Sequence, residues 1–397
     1  MKGAFVTGSY PPLRCRSALD VCLVTQQFPP EGHAGGIATY TKLLAEGLVE
    51  AGCRVTVLTQ SLTRRPARDR QGDLSVLRIP NLLRSPVPSA IARALTVRRA
   101  LELFDRRFDA IEYPSWAGEG AFVPSSAAPV LAVRLVTTVR TVRSYWKAKL
   151  KERLATPLLA ALESRSVRRA QLRMSGTAAH AGSAAVEFAI PLASIEVVPF
   201  GVPLAPRVAG PSAPIVTIVG RLEPRKGTDL ALEAAARVTR AVPNARFIFA
   251  GEIGRDRHGR SYQDVVASDR RLKDAVRLLG PVDEADVHHL RRKSRVILVP
   301  SLSESFGLTY LEAMAAGRPL VAFDIPAARE VLAGAPVPLV APNADALAAA
   351  VMNLLADDVA CDELAEAGWT FVRDHYTAER MIAATVEAYR AAAARAV

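Results

Sequence analysis

Apolar positions along this chain keep two alternating rhythms. Short runs of β-branched and aliphatic residues stop at small polar residues, and apolar residues spaced three or four apart follow. The runs read as buried strands, the spaced segments as helices packing one face. Val21 to Gln26 is the first such strand, and Gly35-Gly36-Ile37 then opens a helix to about Ala51, the opening unit of a doubly wound sheet. Further strands are predicted at Arg54–Gln60, Ser75–Ile79, Ala110–Tyr113 (ending at Pro114) and Val130–Val139, with a helix over Ile91–Phe104. Arg64, Arg65, Arg68 and Arg70 read as a basic loop between Gln60 and Ser75.

Ile195 to Val202 reads as a strand and turn, and Pro203 to Pro214, rich in Pro, Gly and Ala, as a linker. A fresh series follows: strands at Ile215–Gly220, Arg246–Gly251, Val276–Leu279, Val296–Val299 and Leu320–Phe323. Helices fall at Thr228 to about Val242, Asp286–Ser294 and Leu308–Ala316. Gly317-Arg318-Pro319 stops the last of these. From Asp345 the pattern is helical, with a break over Trp369–Tyr376 and a terminal helix from Thr377 to Ala396. Alternating strands and helices predict an α/β fold with parallel sheets in two Rossmann-like units. We place them at 1–205 and 206–375, with 376–397 as a helix that folds back on the first unit. Phe5-Val6-Thr7 before Pro11-Pro12 repeats Leu23-Val24-Thr25 before Pro29-Pro30, and stands as an extra strand or as an extension.

Length agrees with that division, since 397 residues is long for one core. Cysteines at 15, 22, 53 and 361 form no CxxC or Cys/His ligand pattern, which suits a reduced, cytoplasmic protein. The first residues carry no signal-peptide pattern, and no uncharged apolar run reaches the ~18 residues that span a bilayer. The expectation is a soluble protein, or one bound peripherally at the inner membrane face.

Charge divides the chain more sharply than composition does. The net charge is +12; residues 1–205 hold 27 Lys+Arg against 15 Asp+Glu, and residues 206–397 hold 24 of each. The first half therefore faces something anionic and the second does not. Its most basic stretch, residues 140–173, has Arg140, Arg143, Lys147, Lys149, Lys151 and Arg153 interleaved with Tyr145, Trp146, Leu150, Leu154, Leu158 and Leu162, and Pro157 reads as a kink. Three readings stand: a helix lying on an anionic membrane, a solvated helix packing its leucines on the core, and a surface for an anionic acceptor. Nucleic acid is not expected, because no recognised module accompanies the charge.

The candidate chemistry lies in the neutral half. Ser301 to Gly307 joins a strand to a helix, a natural place for an anionic ligand. Glu304 sits in that loop and Glu312 in the helix, so both can reach one ligand from different directions. Ser301-x-x-Glu304 and Thr309-x-x-Glu312 also fit capping boxes, and Glu379 and Glu387 show the same separation in an ordinary helical stretch. Arg221 and Lys226 lie between a strand and a helix, where two cations and a helix N-terminus can hold a diphosphate; the alternative is two surface cations. Gly35-Gly36 is a loop that a ligand can approach closely, or a plain tight turn. No G-x-S-x-G or HExxH motif occurs, His288-His289 point apart, and no D-x-D offers a metal–diphosphate site.

Taken in order, these pieces resemble the retaining, GT-B-fold glycosyltransferases of family four. Glu304-Ser305-Phe306-Gly307-Leu308 running to Glu312 is similar to that family's E-x7-E signature, followed by Ala313-Met314-Ala315-Ala316-Gly317-x-Pro319. Val219-Gly220-Arg221-Leu222 with Lys226-Gly227 resembles its donor-diphosphate loop, Gly35-Gly36-Ile37 its glycine-rich loop, and Val198–Val202 the element before its linker. The resemblance implies a GT-B fold, two doubly wound domains facing across a cleft, and transfer of a sugar from a nucleotide-diphosphate donor. It implies that Arg221 and Lys226 bind the diphosphate and that Glu304 contacts the sugar. The backbone of Phe306, Gly307 and Leu308 meets the phosphates, Glu312 holds the ribose, and Gly36 lets the first domain close. No metal or other cofactor is implied. The acceptor is expected to be lipid-linked or otherwise anionic, as in cell-envelope or polysaccharide synthesis. Two departures stand out: Val133 to Thr138 lacks the family's cleft histidine, and Asp324-Ile325-Pro326-Ala327 lacks its paired glycines, though Arg329-Glu330-Val331 continues the pattern. A sugar-nucleotide epimerase and a non-catalytic donor-binding module are the alternatives.

Overall fold

The computed structural model describes residues 18–31, 35–61, 63, 65–80, 86–145, 150–210 and 213–395. The repeat at 5–12 and Trp146, Lys147 and Lys149 lie outside these. In chain order, the first part comprises β1 (Asp20–Val24), α1 (Gly36–Glu50), β2 (Arg54–Ser61), β3 (Ala67–Gln71), β4 (Leu74–Pro80), α2 (Pro86–Glu102), β5 (Ala110–Pro114) and β6 (Val130–Arg134). It continues with α3 (Val139–Arg143), α4 (Leu150–Arg169), β7 (Leu172–Ser175), α5 (Ala178–Phe188) and β8 (Ile195–Val197).

The second part comprises β9 (Ile215–Val219), α6 (Thr228–Ala241), β10 (Arg246–Ala250), α7 (Tyr262–Ser268), α8 (Arg270–Lys273), β11 (Val276–Gly280), α9 (Glu284–Lys293) and β12 (Val296–Val299). Then come α10 (Leu308–Ala315), β13 (Leu320–Phe323), α11 (Pro326–Val331), β14 (Leu339–Val340), α12 (Ala344–Ala356), α13 (Asp358–His375) and α14 (Ala378–Arg395).

Two sheets result, ordered β3-β4-β2-β1-β5-β6-β7-β8 and β11-β10-β9-β12-β13-β14. Among the described residues, every pairing between these strands is parallel except β3 with β4. The runs at β1, β5, β6, β12 and β13 are buried throughout, as strands covered on both faces must be. In each sheet the chain winds outward one way and then the other, so strand order reverses between β1 and β5 and between β9 and β12. Such reversals open a crevice beyond the strands' C-terminal ends. This is the two-domain α/β arrangement of a GT-B fold.

Three local expectations are corrected. Arg68 and Arg70 are strand residues, not loop: β3 is an edge strand exposed along its whole length, so it carries no hydrophobic alternation to read. The strand predicted over Val130–Val139 ends at Arg134, because Thr138 caps a helix there by accepting from the Thr141 N–H. The break predicted over Trp369–Tyr376 shrinks to Tyr376 and Thr377: α13 runs through His375, and the Trp369 indole N–H donates to the Ala205 carbonyl at 2.9 Å. Pro157, read as a kink, lies inside the single helix α4.

Pro203 to Gly210 forms no helix or strand and is pinned to the second part by Arg318, whose guanidinium donates to Val208 O at 2.9 Å. Beyond it, α14 returns to pack on α1 and against β6 and β7. Gly201 lies where the two crossings meet; a Cβ there would sit 2.1 Å from the Thr377 carbonyl oxygen. Helix α4 buries Ala155, Leu159 and Leu162 but leaves Leu154 72% and Leu158 40% exposed. No helix among the described residues is long and apolar enough to cross a membrane.

Candidate active site

The loops that follow β9 and β12 flank the second sheet's reversal point, and they hold the residues singled out from sequence. Pro224 to Lys226 forms a single 3-10 turn that ends at Gly227. Gly227 has φ +68° and caps α6, and a Cβ there would sit 1.8 Å from the Pro300 carbonyl oxygen. Glycine is therefore the residue that lets the two loops press together. A recess lined by Gly220, Arg221, Lys226, Thr228, Ser301 and Thr309 lies between them.

Lys226 Nζ is 2.5 Å from Glu304 Oε1. Behind them Arg225 is buried, donating to Ser303 O at 2.9 Å and to Glu223 Oε1 at 2.7 Å, with its Nη1 3.9 Å from Glu304 Oε2. Burial pushes the Glu304 carboxyl upward, but the charges of Lys226 and Arg225, with hydrogen bonds from Lys226 and Ser301, outweigh it and hold the group below its ordinary value. Glu304 is thus a fixed anion inside a cage of cations. Arg221, with half of its side chain exposed, stands 3.9 Å from Glu223 and is free to turn toward an anion.

Phe306 is buried, its ring edge-on to Phe200 at 5.0 Å and to Tyr376 at 6.0 Å. Gly307 has φ +93°, and a Cβ there would meet the Tyr310 ring at 2.3 Å. It caps α10, whose first residue is Leu308; the Tyr310 N–H of that first turn donates to the Gly307 carbonyl at 2.9 Å, and Thr309 borders the recess. Neither capping-box reading holds. No helix begins near Ser301, and Thr309 lies inside α10 rather than at its cap. Glu312 pairs instead with Arg291 of α9. Gly36 is the first residue of α1, behind Gly35 at the cap, with open space where a side chain would project.

On the facing edge, the loops after β1, β5, β6 and β7 come together. Arg134, the last residue of β6, is buried with Glu112 at 3.3 Å, donates to Val198 O at 3.2 Å and to Thr385 Oγ1 at 3.3 Å, and lies over the rings of Tyr40 and Phe200. Tyr40 and Tyr389 each donate to Glu112 at 2.6 Å. No histidine occurs in Val133–Thr138, yet one reaches that stretch from α5. The His180 ring contacts Ser175 Oγ at 3.1 Å and bonds the Val136 backbone, and burial lowers it to about 4. Among the described residues, no three His, Cys, Asp or Glu side chains converge to hold a metal.

Across the cleft the two parts touch. Thr177 Oγ1 donates to Ser305 O at 2.9 Å, Lys42 Nζ pairs with Glu284 at 2.8 Å, and Gly176 has no room for a Cβ beside Phe200 and Phe306. Arg225, Ser301, Arg291 and Thr177 were not legible as site residues. Arg225, Arg291 and Thr177 act through partners distant in sequence, Thr177 carrying a local signal only as a helix-capping threonine after a strand, whereas Ser301 hydrogen-bonds Glu304 three residues on and stood out only as a capping-box candidate.

Comparison with known proteins bears on the family and the fold. Residues 207–370 match the family described as glycosyl transferases group 1, and residues 35–201 match the glycosyl transferase 4-like domain. A D-inositol 3-phosphate glycosyltransferase from Acidothermus cellulolyticus is 30% identical over 326 residues, 75% of this chain and 72% of that protein. Another D-inositol 3-phosphate glycosyltransferase, from Segniliparus rotundus, is 33% identical over 211 residues, 49% of this chain and 46% of that protein. A sucrose-phosphate synthase from Thermosynechococcus elongatus superposes with a TM-score of 0.76 at 20% identity, covering 94% of this chain and 98% of that one, and shares the fold. The chain is a glycosyltransferase, a member of the GT-B-fold group 1 transferases of family four.

Proposed function

We propose that this protein moves a sugar from a nucleotide-diphosphate donor to an anionic acceptor with retention of configuration. The observation that carries the reading is the cationic cage at the β9/β12 reversal, where Lys226 and Arg225 fix Glu304 beside an exposed Arg221 and two helix N-termini. The sugar C1–O bond to the diphosphate breaks, and the electron pair leaves with the diphosphate oxygen. An acceptor oxygen bonds C1 from the same face, and its proton passes to the leaving phosphate. Arg221, Lys226 and the N–H groups of Phe306, Gly307 and Leu308 stabilise the charge that builds on the leaving oxygens, in place of a metal. Glu304 orients the sugar hydroxyls. Glu312, itself held by Arg291, receives the ribose hydroxyls.

The named activities of the two relatives suggest a phosphorylated polyol as acceptor, and the basic excess of the first half is consistent with one. Exposed Leu154 and Leu158 on α4, within the basic stretch 140–173, support docking on an anionic membrane at the cytoplasmic side. A panel of nucleotide sugars, with and without inositol phosphate or anionic lipid extracts, tests the reaction by release of nucleoside diphosphate. Release that survives Glu304→Ala would overturn the role of that residue. Donor conversion without release would favour an epimerase, and no release from any donor a binding module. Flotation with phosphatidylglycerol vesicles should weaken when Lys147, Lys149 and Lys151 are neutralised, and unchanged flotation removes the membrane reading.

A further inference from the structure

Helix α5 begins at the cleft with its first-turn donors already occupied. Thr177 caps it by accepting from the His180 N–H at 3.1 Å. The other two N–H groups bond a side chain from the opposite part of the chain: Ala178 N donates to Glu330 Oε1 at 2.6 Å, and Ala179 N to Glu330 Oε2 at 2.8 Å. A carboxylate at a helix N-terminus meets both the free donors and the positive end of the helix dipole. Glu330 therefore spans the cleft with both oxygens engaged. It lies on α11, which follows β13.

The neighbouring contact runs the other way. The Thr177 hydroxyl donates to the carbonyl of Ser305, the residue between Glu304 and Phe306. Phe306 in turn fills the space that Gly176, two residues before α5, leaves open beside Phe200. The start of α5 thus holds two separate segments of the donor half, α11 through Glu330 and the 301–307 loop through Ser305 and Phe306. Glu330 does not line the recess between the β9 and β12 loops.

We propose that Glu330 is a positioning residue for transfer: its carboxylate latches the donor half to the α5 N-terminus and so sets the Glu304–Phe306 loop against the acceptor side. The kinetic arm of this inference rests on the transfer reading above. With the latch in place, the sugar held at Glu304 faces an acceptor on the first sheet. Without it, the donor still binds its own half but meets the acceptor in a looser geometry, where small misplacements cost about 10- to 100-fold in rate.

Glu330→Gln keeps the shape but loses the charge and one of the two acceptor oxygens; Glu330→Asp keeps the charge with a shorter reach. We expect Glu330→Gln to lower kcat about 10- to 100-fold while UDP or GDP affinity, by titration calorimetry, stays within about twofold. Its small-angle scattering should show a larger radius of gyration, and Glu330→Asp should recover part of both effects. Thr177→Val removes the adjoining bond and should produce a smaller change of the same kind, which keeps the test open if Glu330→Gln folds poorly. Unchanged kcat and scattering would overturn the latch. A fall in diphosphate affinity equal to the fall in kcat would also overturn it, by making Glu330 a donor contact. If the wild type transfers no sugar, the transfer reading fails, and scattering of the variants still decides the latch.

Discussion

Buried glutamates lie at the reversal edges of both sheets, in opposite electrostatic settings. Glu304, on the donor side, has Lys226 at 2.5 Å and Arg225 at 3.9 Å, and its carboxyl is held below its ordinary value although burial pushes the other way. On the facing side, burial raises Glu163 to about 8 against the backbone N–H groups of Ala117 and Val139, and raises Glu119 to about 7 against Arg93. Desolvation pushes all three the same way; two cations with hydrogen bonds from Lys226 and Ser301 overturn it at Glu304, whereas Arg93 beside Glu119 and the two backbone N–H groups at Glu163 do not. The edge around Glu304 is built of permanent charges, with Lys226 paired to Glu304, and in the transfer we propose Lys226 exchanges Glu304 for a donor phosphate. The facing edge holds protons near neutral pH and settles the buried charge of Arg134 inside a network with Glu112.

That contrast can be broken in several places. The largest effect should come from Arg134→Met, which strands Glu112 without its cation and should cost about 3–5 kcal/mol of stability by denaturant unfolding. Because the network also receives Thr385 and Tyr389 from α14, the same variant should loosen the terminal helix first, as read by amide exchange. Lys226→Ala should leave the fold nearly intact and lower kcat for transfer about 10²- to 10³-fold, since it removes a cation from the leaving diphosphate. A stability loss as large as that of Arg134→Met would mean that Lys226 serves the fold and not the ligand.

Gly176→Ala places a methyl 2.8–2.9 Å from the rings of Phe200 and Phe306, and should cost about 1–3 kcal/mol by overpacking. The gentlest test is pH. A group raised in the folded state stabilises most below its unfolded value, so Glu163 and Glu119 should lose their contribution as pH rises from about 4.5 through about 7 and 8. Glu304, lowered in the folded state, contributes above its unfolded value and loses that only as pH falls below it. Glu163→Gln and Glu119→Gln should therefore flatten the fall in unfolding midpoint between pH 5 and 8.5, while Glu304→Gln should leave that slope unchanged.

The sequence by itself determined most strands of both sheets, though not Leu172–Ser175 or Leu339–Val340, together with the order of the motifs and the family they belong to. Buried parallel strands need continuous apolar runs, and loops that receive phosphates need glycines and cations at fixed places beside them; both are local demands written in adjacent residues. Elements without such demands were missed or misplaced, as with the exposed edge strand at Ala67–Gln71 and the capped helix at Val139 that ended a strand early. Tertiary structure alone decided what each charge does. Arg225 and Arg291 are, in sequence, two arginines among many, and become site residues only by reaching Glu304 and Glu312. Glu330 becomes a clasp only because residues 151 and 152 positions away begin a helix in front of it. A side chain's chemistry is fixed by its type, but its partner, its burial and hence its charge state belong to the fold.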